Sequence, residues 1–172
     1  MITAKLCLNM QCTLGTITYN FGNVLLLSVK PYMRGYPEIE LTDVHGETLK
    51  TTSIYDSNTE LGMVAYILED IIDESSELVS FEDWDNMVKE EIKLDSCTVT
   101  STKNATGVTY TGSTKATKNI TVRSAVVCLK VLIGGNEKLV IVDNFSFAKS
   151  EEEGYSFKEG DPIAISYTLV MS

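Results

Sequence analysis

Apolar positions recur mostly every second residue along this chain, and the period is densest in the last third. Ile163, Ile165, Tyr167 and Leu169 fall on one side of an extended segment, with Ala164, Ser166, Thr168 and Val170 on the other. That alternation predicts a half-buried strand, and Pro162 opens it at a position where the missing N–H is tolerated. Upstream, Val122–Ile133 and Lys138–Ala148 are β-branched runs separated by Gly134, Gly135 and Asn136, which predicts a hairpin. Thr121–Met171 is therefore the expected centre of the sheet.

The first half carries the same period less evenly. Thr3–Leu14 places Ala4, Leu6, Leu8 and Met10 on one face of a single strand. Thr16–Phe21 and Asn23–Val29 are expected to form a strand pair turning at Gly22–Asn23. The apolar run Val24–Leu27 within that pair suggests a strand covered on both faces. Glu38–Val44 and Thr48–Tyr55 form a further pair, turning at His45–Gly46. Between them, Pro31–Pro37 is a connector carrying Tyr32, Arg34 and Tyr36. These side chains either pack back on the core or touch a neighbouring subunit, since Tyr and Arg are enriched at interfaces.

The period changes in Asp56–Ser76. Ser57 and Glu60 have capping-box spacing, and Leu61, Val64, Ala65, Leu68, Ile71 and Ile72 recur at three and four residues, which predicts an amphipathic helix. The acidic stretch that follows holds Phe81, Trp84, Met87 and Val88, either as a short helix capped by Ser80 or as a loop docked by Trp84. Residues 96–118 are rich in Thr and Ser and poor in apolar residues. They are expected to form an exposed hairpin or arm, with its tip near Asn104–Gly107 or Gly112–Lys115 and with Lys103, Tyr110 and Lys115 available for contact. The sum is one mainly β (α+β) domain over 1–172: an antiparallel β-sandwich or barrel flanked by one amphipathic helix, with a Thr-rich extended arm.

Charge narrows the partners. With 24 acids against 14 Lys and Arg, the net charge is −10. That opposes binding to phosphates, which needs clustered bases, and is compatible with solubility or with a surface that repels DNA. No apolar run reaches the roughly 18 residues of a membrane span, and the first residues lack the pattern of a secretion signal, so a protein made in the cytoplasm is expected. Cys7, Cys12, Cys97 and Cys128 form no C-x-x-C pair, and His45 is the sole histidine. A zinc site is not expected, nor any other metal or cofactor. Cys7 and Cys12 would face opposite sides of one strand. Reduced cysteines are the expectation, with disulfides left open. No nucleophile–base pattern, phosphate loop or EF-hand loop is present, so an enzyme is not expected.

The order of elements, and the ending LVIVDNFSFAKSEEEGYSFKEGDPIAISYTLVM as penultimate strand, polar loop and final alternating strand, resemble the tube-forming proteins of phage tails and contractile injection machines. The resemblance implies a non-enzymatic virion subunit of a tail tube or baseplate. Such subunits form homo-oligomeric rings through sheet edges and loops, and DNA passes an acidic lumen without specific binding. It makes Tyr32, Arg34, Tyr36, Lys103, Tyr110 and Lys115 the expected subunit contacts. A different reading is a monomeric β-sandwich that grips a glycan or peptide with Tyr32, Tyr36, Tyr110 and Tyr155.

Overall fold

The computed structural model describes residues 1–29, 38–51, 62–73 and 77–172. Its elements in chain order are β1 (Ile2–Leu8), β2 (Gln11–Ile17), α1 (Tyr19–Val29), β3 (Ile39–Thr42), β4 (Thr48–Thr51), β5 (Met63–Leu68), α2 (Trp84–Met87), β6 (Val88–Leu94) and β7 (Ser96–Ser101). Then come β8 (Thr106–Lys115), β9 (Ile120–Val122), β10 (Ser124–Ile133), β11 (Asn136–Ser146), β12 (Tyr155–Phe157) and β13 (Pro162–Met171). The mainly β expectation holds. Nine strands form one antiparallel sheet in the order β6-β5-β10-β11-β2-β1-β13-β8-β7.

The sheet curls until its ends nearly meet. β6 passes through Asp95 into β7, and β8 lies beside both. A Cβ at Gly112 on β8 would collide with the Lys93 carbonyl of β6, so this approach requires glycine. Near the seam, the buried Glu90 carboxylate accepts hydrogen bonds from the Thr117 N–H (2.5 Å) and hydroxyl (2.7 Å). The enclosed core is built by the inward halves of the alternating strands: Leu6 and Leu8 of β1, Ile67 of β5, Ile92 of β6, Phe145 of β11, and Ile163, Ile165 and Tyr167 of β13. The expected faces of the last strand and the β10–β11 hairpin, turning at Gly134–Gly135, are present.

One half of this barrel-like sheet carries an outer layer. Val64, Tyr66 and Leu68 of β5, Val126 and Cys128 of β10 and Ile141 of β11 point outward and are covered by Trp84, Val44 and Ile72. Trp84 sits edge-on to Tyr66 at 5.0 Å and stacks with Phe81 at 6.0 Å. Farther along, Leu27 of α1 packs with Leu41, Leu49, Val131 and Val140. The open edge of β3 is closed by α1, where Asn20 and Asn23 donate to the carbonyls of Thr42 (2.8 Å) and Glu40 (2.6 Å).

Three expectations are corrected. Residues 63–68 are strand and not helix. β5 lies between β6 and β10, so Ala65 and Ile67 face the barrel core while Val64, Tyr66 and Leu68 face the outer layer. A run buried on both faces satisfies helical spacing by accident. The capping residues Ser57 and Glu60 lie outside the described residues. Conversely, 19–29 is helix and not a strand pair. Phe21, Val24 and Leu27 share one side, while Leu25 and Leu26 remain exposed, and a Leu-rich run has no preference for strand. Finally, Thr3–Leu14 is a hairpin that turns at Asn9–Met10, with Asn9 at φ 51°. Ala4, Leu6 and Leu8 are buried as expected, but Met10 is 93% exposed.

Candidate assembly surface

The turn at Asn9–Met10 sets Cys7 of β1 opposite Cys12 of β2, with their Cα atoms 4.0 Å apart and a disulfide between them. The expectation of reduced cysteines followed from a cytoplasmic origin and left disulfides open; the single strand that would set Cys7 and Cys12 on opposite sides is corrected by the hairpin. Cys97 and Cys128 remain free, the first exposed and the second buried. Burial pushes the Cys128 thiol well above its ordinary value, so it behaves as a small apolar group.

The most perturbed acid is inside the barrel. Asp143 of β11 is fully buried. Its Oδ2 accepts the Tyr167 hydroxyl at 3.3 Å, and Oδ1 has no well-formed hydrogen bond. Burial pushes the carboxyl up to about 7, against the opposing pull of the Tyr167 hydroxyl and the Asn144 N–H. A side chain on Gly15 would run into this carboxyl and the Phe145 ring, so β2 crosses β11 in close contact where the two strands share three residue pairs. Phe145 stands edge-on to Tyr167 at 5.8 Å. The group is enclosed by packed rings and backbone, and five surface pockets of about 400–440 Å³ are lined by neither Asp143 nor Tyr167. Its chemistry is that of a core polar contact. No cluster of three or more His, Cys, Asp or Glu among the described residues could hold a metal ion.

The surface with a distinct character is the uncovered half of the sheet. β2, β1, β13, β8 and β7 contain no Asp or Glu in a chain with 24 acids. Their outward positions run in register across all five strands: Leu14, Lys5, Thr168, Thr109 and Thr98 form one row. Thr109 and Thr168 share a hydroxyl hydrogen bond at 3.0 Å. The Cys7–Cys12 disulfide lies in the adjacent row. Leu14 is 73% exposed, and no described residue forms a layer over these rows. At the margin, β7 pairs with β8 on one side and with no strand on the other among the described residues. All six of its residues are exposed.

The expected contact residues divide. Lys103 lies in the turn between β7 and β8, and Lys115 ends β8 on the outward side, level with Pro162. Tyr110 points the other way, packing against the core and stacking on Tyr167 at 6.3 Å. Tyr32, Arg34 and Tyr36 lie outside the described residues. The 96–118 segment is a hairpin as expected, but it is not a separable arm. β8 bonds to β13 over ten residue pairs, which makes it a wall of the barrel, and only β7 with its turn is peripheral. The glycan-gripping aromatics do not form a platform among the described residues, since Tyr155 packs edge-on to Phe147 at 5.8 Å and Tyr110 faces inward.

Sequence reasoning missed the acid-free face, although its signal was present. Residues 1–29, 96–118 and 162–172 contain no acid, and knowing that these segments are neighbours turns three stretches into one surface. No helix among the described residues is long and apolar enough to cross a membrane. Neither a protein-family model, nor a characterised protein, nor a solved structure matches the chain.

Proposed function

We propose that this chain is a non-enzymatic structural subunit that associates with copies of itself through its sheet, as in a ring or tube of a phage tail or a related virion part. The observation that carries the reading is β7: an edge strand exposed along its whole length, with no strand paired to its outer side among the described residues, bordering a sheet face whose five strands carry no acid. Edges of this kind template pairing with another chain, and proteins that stay monomeric protect them with charge, proline or a covering element. Here the edge reads Ser-Cys-Thr-Val-Thr-Ser, with no charge or proline and no covering element among the described residues. The resemblance of the closing strands to tail-tube proteins supports the same reading.

The test is the size and shape of the purified protein. Mass photometry over a concentration series, with negative-stain electron microscopy at the high end, is expected to show rings, tubes or discrete oligomers. A strict monomer at the highest concentration reached would remove the proposal.

A further inference from the structure

The assembly proposal leaves open what lies against the acid-free face, and the partition of charge identifies an occupant. On that side, Lys5, Lys103 and Lys115 are the charged residues of the five strands and of the β7–β8 turn. None of them takes part in the ion pairs found among the described residues, which join Lys130 to Glu137 and Lys138 to Asp43 and Glu47. The outer layer over β5, β10 and β11 has the opposite character. Between Glu77 and Val88 it carries Glu77, Glu82, Asp83 and Asp85 and no Lys or Arg. These four acids are exposed, and they too are absent from those ion pairs.

The two charge sets cannot satisfy each other within one molecule. The acidic segment docks through Trp84 on the half of the sheet built from β5, β10 and β11, while the lysines belong to the other half. We infer that the acid-free face of one copy docks on the Glu77–Asp85 layer of a second copy, in a head-to-tail contact. Such a contact joins two different patches, so it repeats and generates a ring or a filament and not a closed pair. This rests on the assembly reading above and names its surfaces.

The size is adequate. Five strands about 4.8 Å apart and about seven residues long make a face on the order of 500 Å². The β7 edge and the Lys103 turn extend it towards the roughly 800 Å² per partner of a stable interface. The chemistry is that of a steered contact. Neutral Thr and Ser hydroxyls and the exposed Leu14 fill the centre, with Lys5, Lys103 and Lys115 among and around them and Asp95 at the β6–β7 margin. Opposite charges across it speed encounter and fix orientation, and salt weakens them.

The experiment uses two triple variants of the full chain. One carries Lys5→Glu, Lys103→Glu and Lys115→Glu; the other carries Glu77→Lys, Glu82→Lys and Asp85→Lys. All six positions are exposed or at the sheet surface, and circular dichroism with thermal melting establishes that each variant folds. Sedimentation velocity is expected to show at least about tenfold weaker self-association for each variant alone, because each then opposes like charges. Mixed in equal amounts, the two are expected to recover assembly, since every reversed face meets a reversed layer and every native face a native layer. The parent is expected to lose at least about tenfold in affinity from low to high salt.

Variants that assemble like the parent, or a mixture that fails to recover while both variants are folded, would overturn the docking and leave the assembly reading standing. If only the lysine variant loses assembly, the face docks on something other than the Glu77–Asp85 layer, which also overturns the inference. A parent that is monomeric throughout removes the assembly reading itself.

Discussion

The two halves of the sheet are built from strands of similar length but solve the problem of their outer surface differently. In the β6-β5-β10-β11 half, the strands β5, β10 and β11 bury apolar residues on both faces and depend on Trp84, α1 and the β3–β4 hairpin to cover their outer side. The β2-β1-β13-β8-β7 half is apolar on its inner side and hydroxylated on its outer side, so it is stable uncovered. The first half has spent its outer face on its own core. The second leaves a face that water satisfies and that a partner can replace. Apolar-to-polar substitutions at outward strand positions should therefore act mainly on stability in the covered half and on association in the bare one.

The largest effect is expected where the halves meet. Valine at Gly112 drives a side chain into the Lys93 carbonyl, a backbone that cannot step aside without parting β6 from β8. Gly112→Val is expected to cost more than about 3 kcal/mol, the upper range for overpacking, measured by urea denaturation. A variant of parental stability would show that the sheet does not close there. Next is Trp84→Ala. Removing a buried indole from the covered half is expected to cost about 3–5 kcal/mol, read from the same denaturation midpoint. A loss below about 1 kcal/mol would mean that the outer layer holds without its anchor.

How far these features were legible follows from what period-two alternation encodes. β13 and the β10–β11 hairpin were readable because each strand has one apolar face or a Gly-Gly turn, signals that survive without knowledge of neighbours. β5 was not, since Met-Val-Ala-Tyr-Ile-Leu is apolar throughout and its strand identity comes from lying between β6 and β10. α1 failed for the converse reason. Its leucines look like a buried strand until Asn20 and Asn23 are seen to close the edge of β3 across 17 to 22 residues of sequence. The disulfide was hidden by one turn residue, Asn9. The candidate surface was unreadable as a surface because it is assembled from the start, middle and end of the chain.

Asp143 gives a test confined to the core shared by both halves. Its carboxyl titrates near 7 when folded and near the ordinary 3.8 when free, so the folded state holds the proton to higher pH than the unfolded state does. Stability should then be greatest below about pH 4, fall as pH rises towards 7 and level off above it. The gap sets an upper limit of about 4 kcal/mol on that fall. Asp143→Asn keeps the shape without the charge. It is expected to flatten the slope and to be more stable than the parent at pH 8 by up to about that limit. Thermal melting of both proteins from pH 4 to pH 8 decides this, and an unchanged slope would place the titration elsewhere.

The smallest stability effect separates the halves most cleanly. Leu14 on β2 and Ile141 on β11 are both large apolar residues that point outward from the sheet, but Leu14 is 73% exposed and Ile141 is fully buried beneath the outer layer. Serine at Ile141 leaves a cavity and a hydroxyl in an apolar site, at a cost on the order of 3 kcal/mol. Serine at Leu14 removes a side chain that already faces water, and surface changes of this kind usually stay within about 0.5 kcal/mol. Leu14→Ser is therefore expected to melt like the parent while associating more weakly in sedimentation velocity, because the centre of the acid-free face has lost its apolar contact. Ile141→Ser is expected to melt early, because it loosens the seat of the outer layer. If Leu14→Ser destabilised the monomer as much as Ile141→Ser, the bare face would be part of the core after all, and the contrast between the halves would fail.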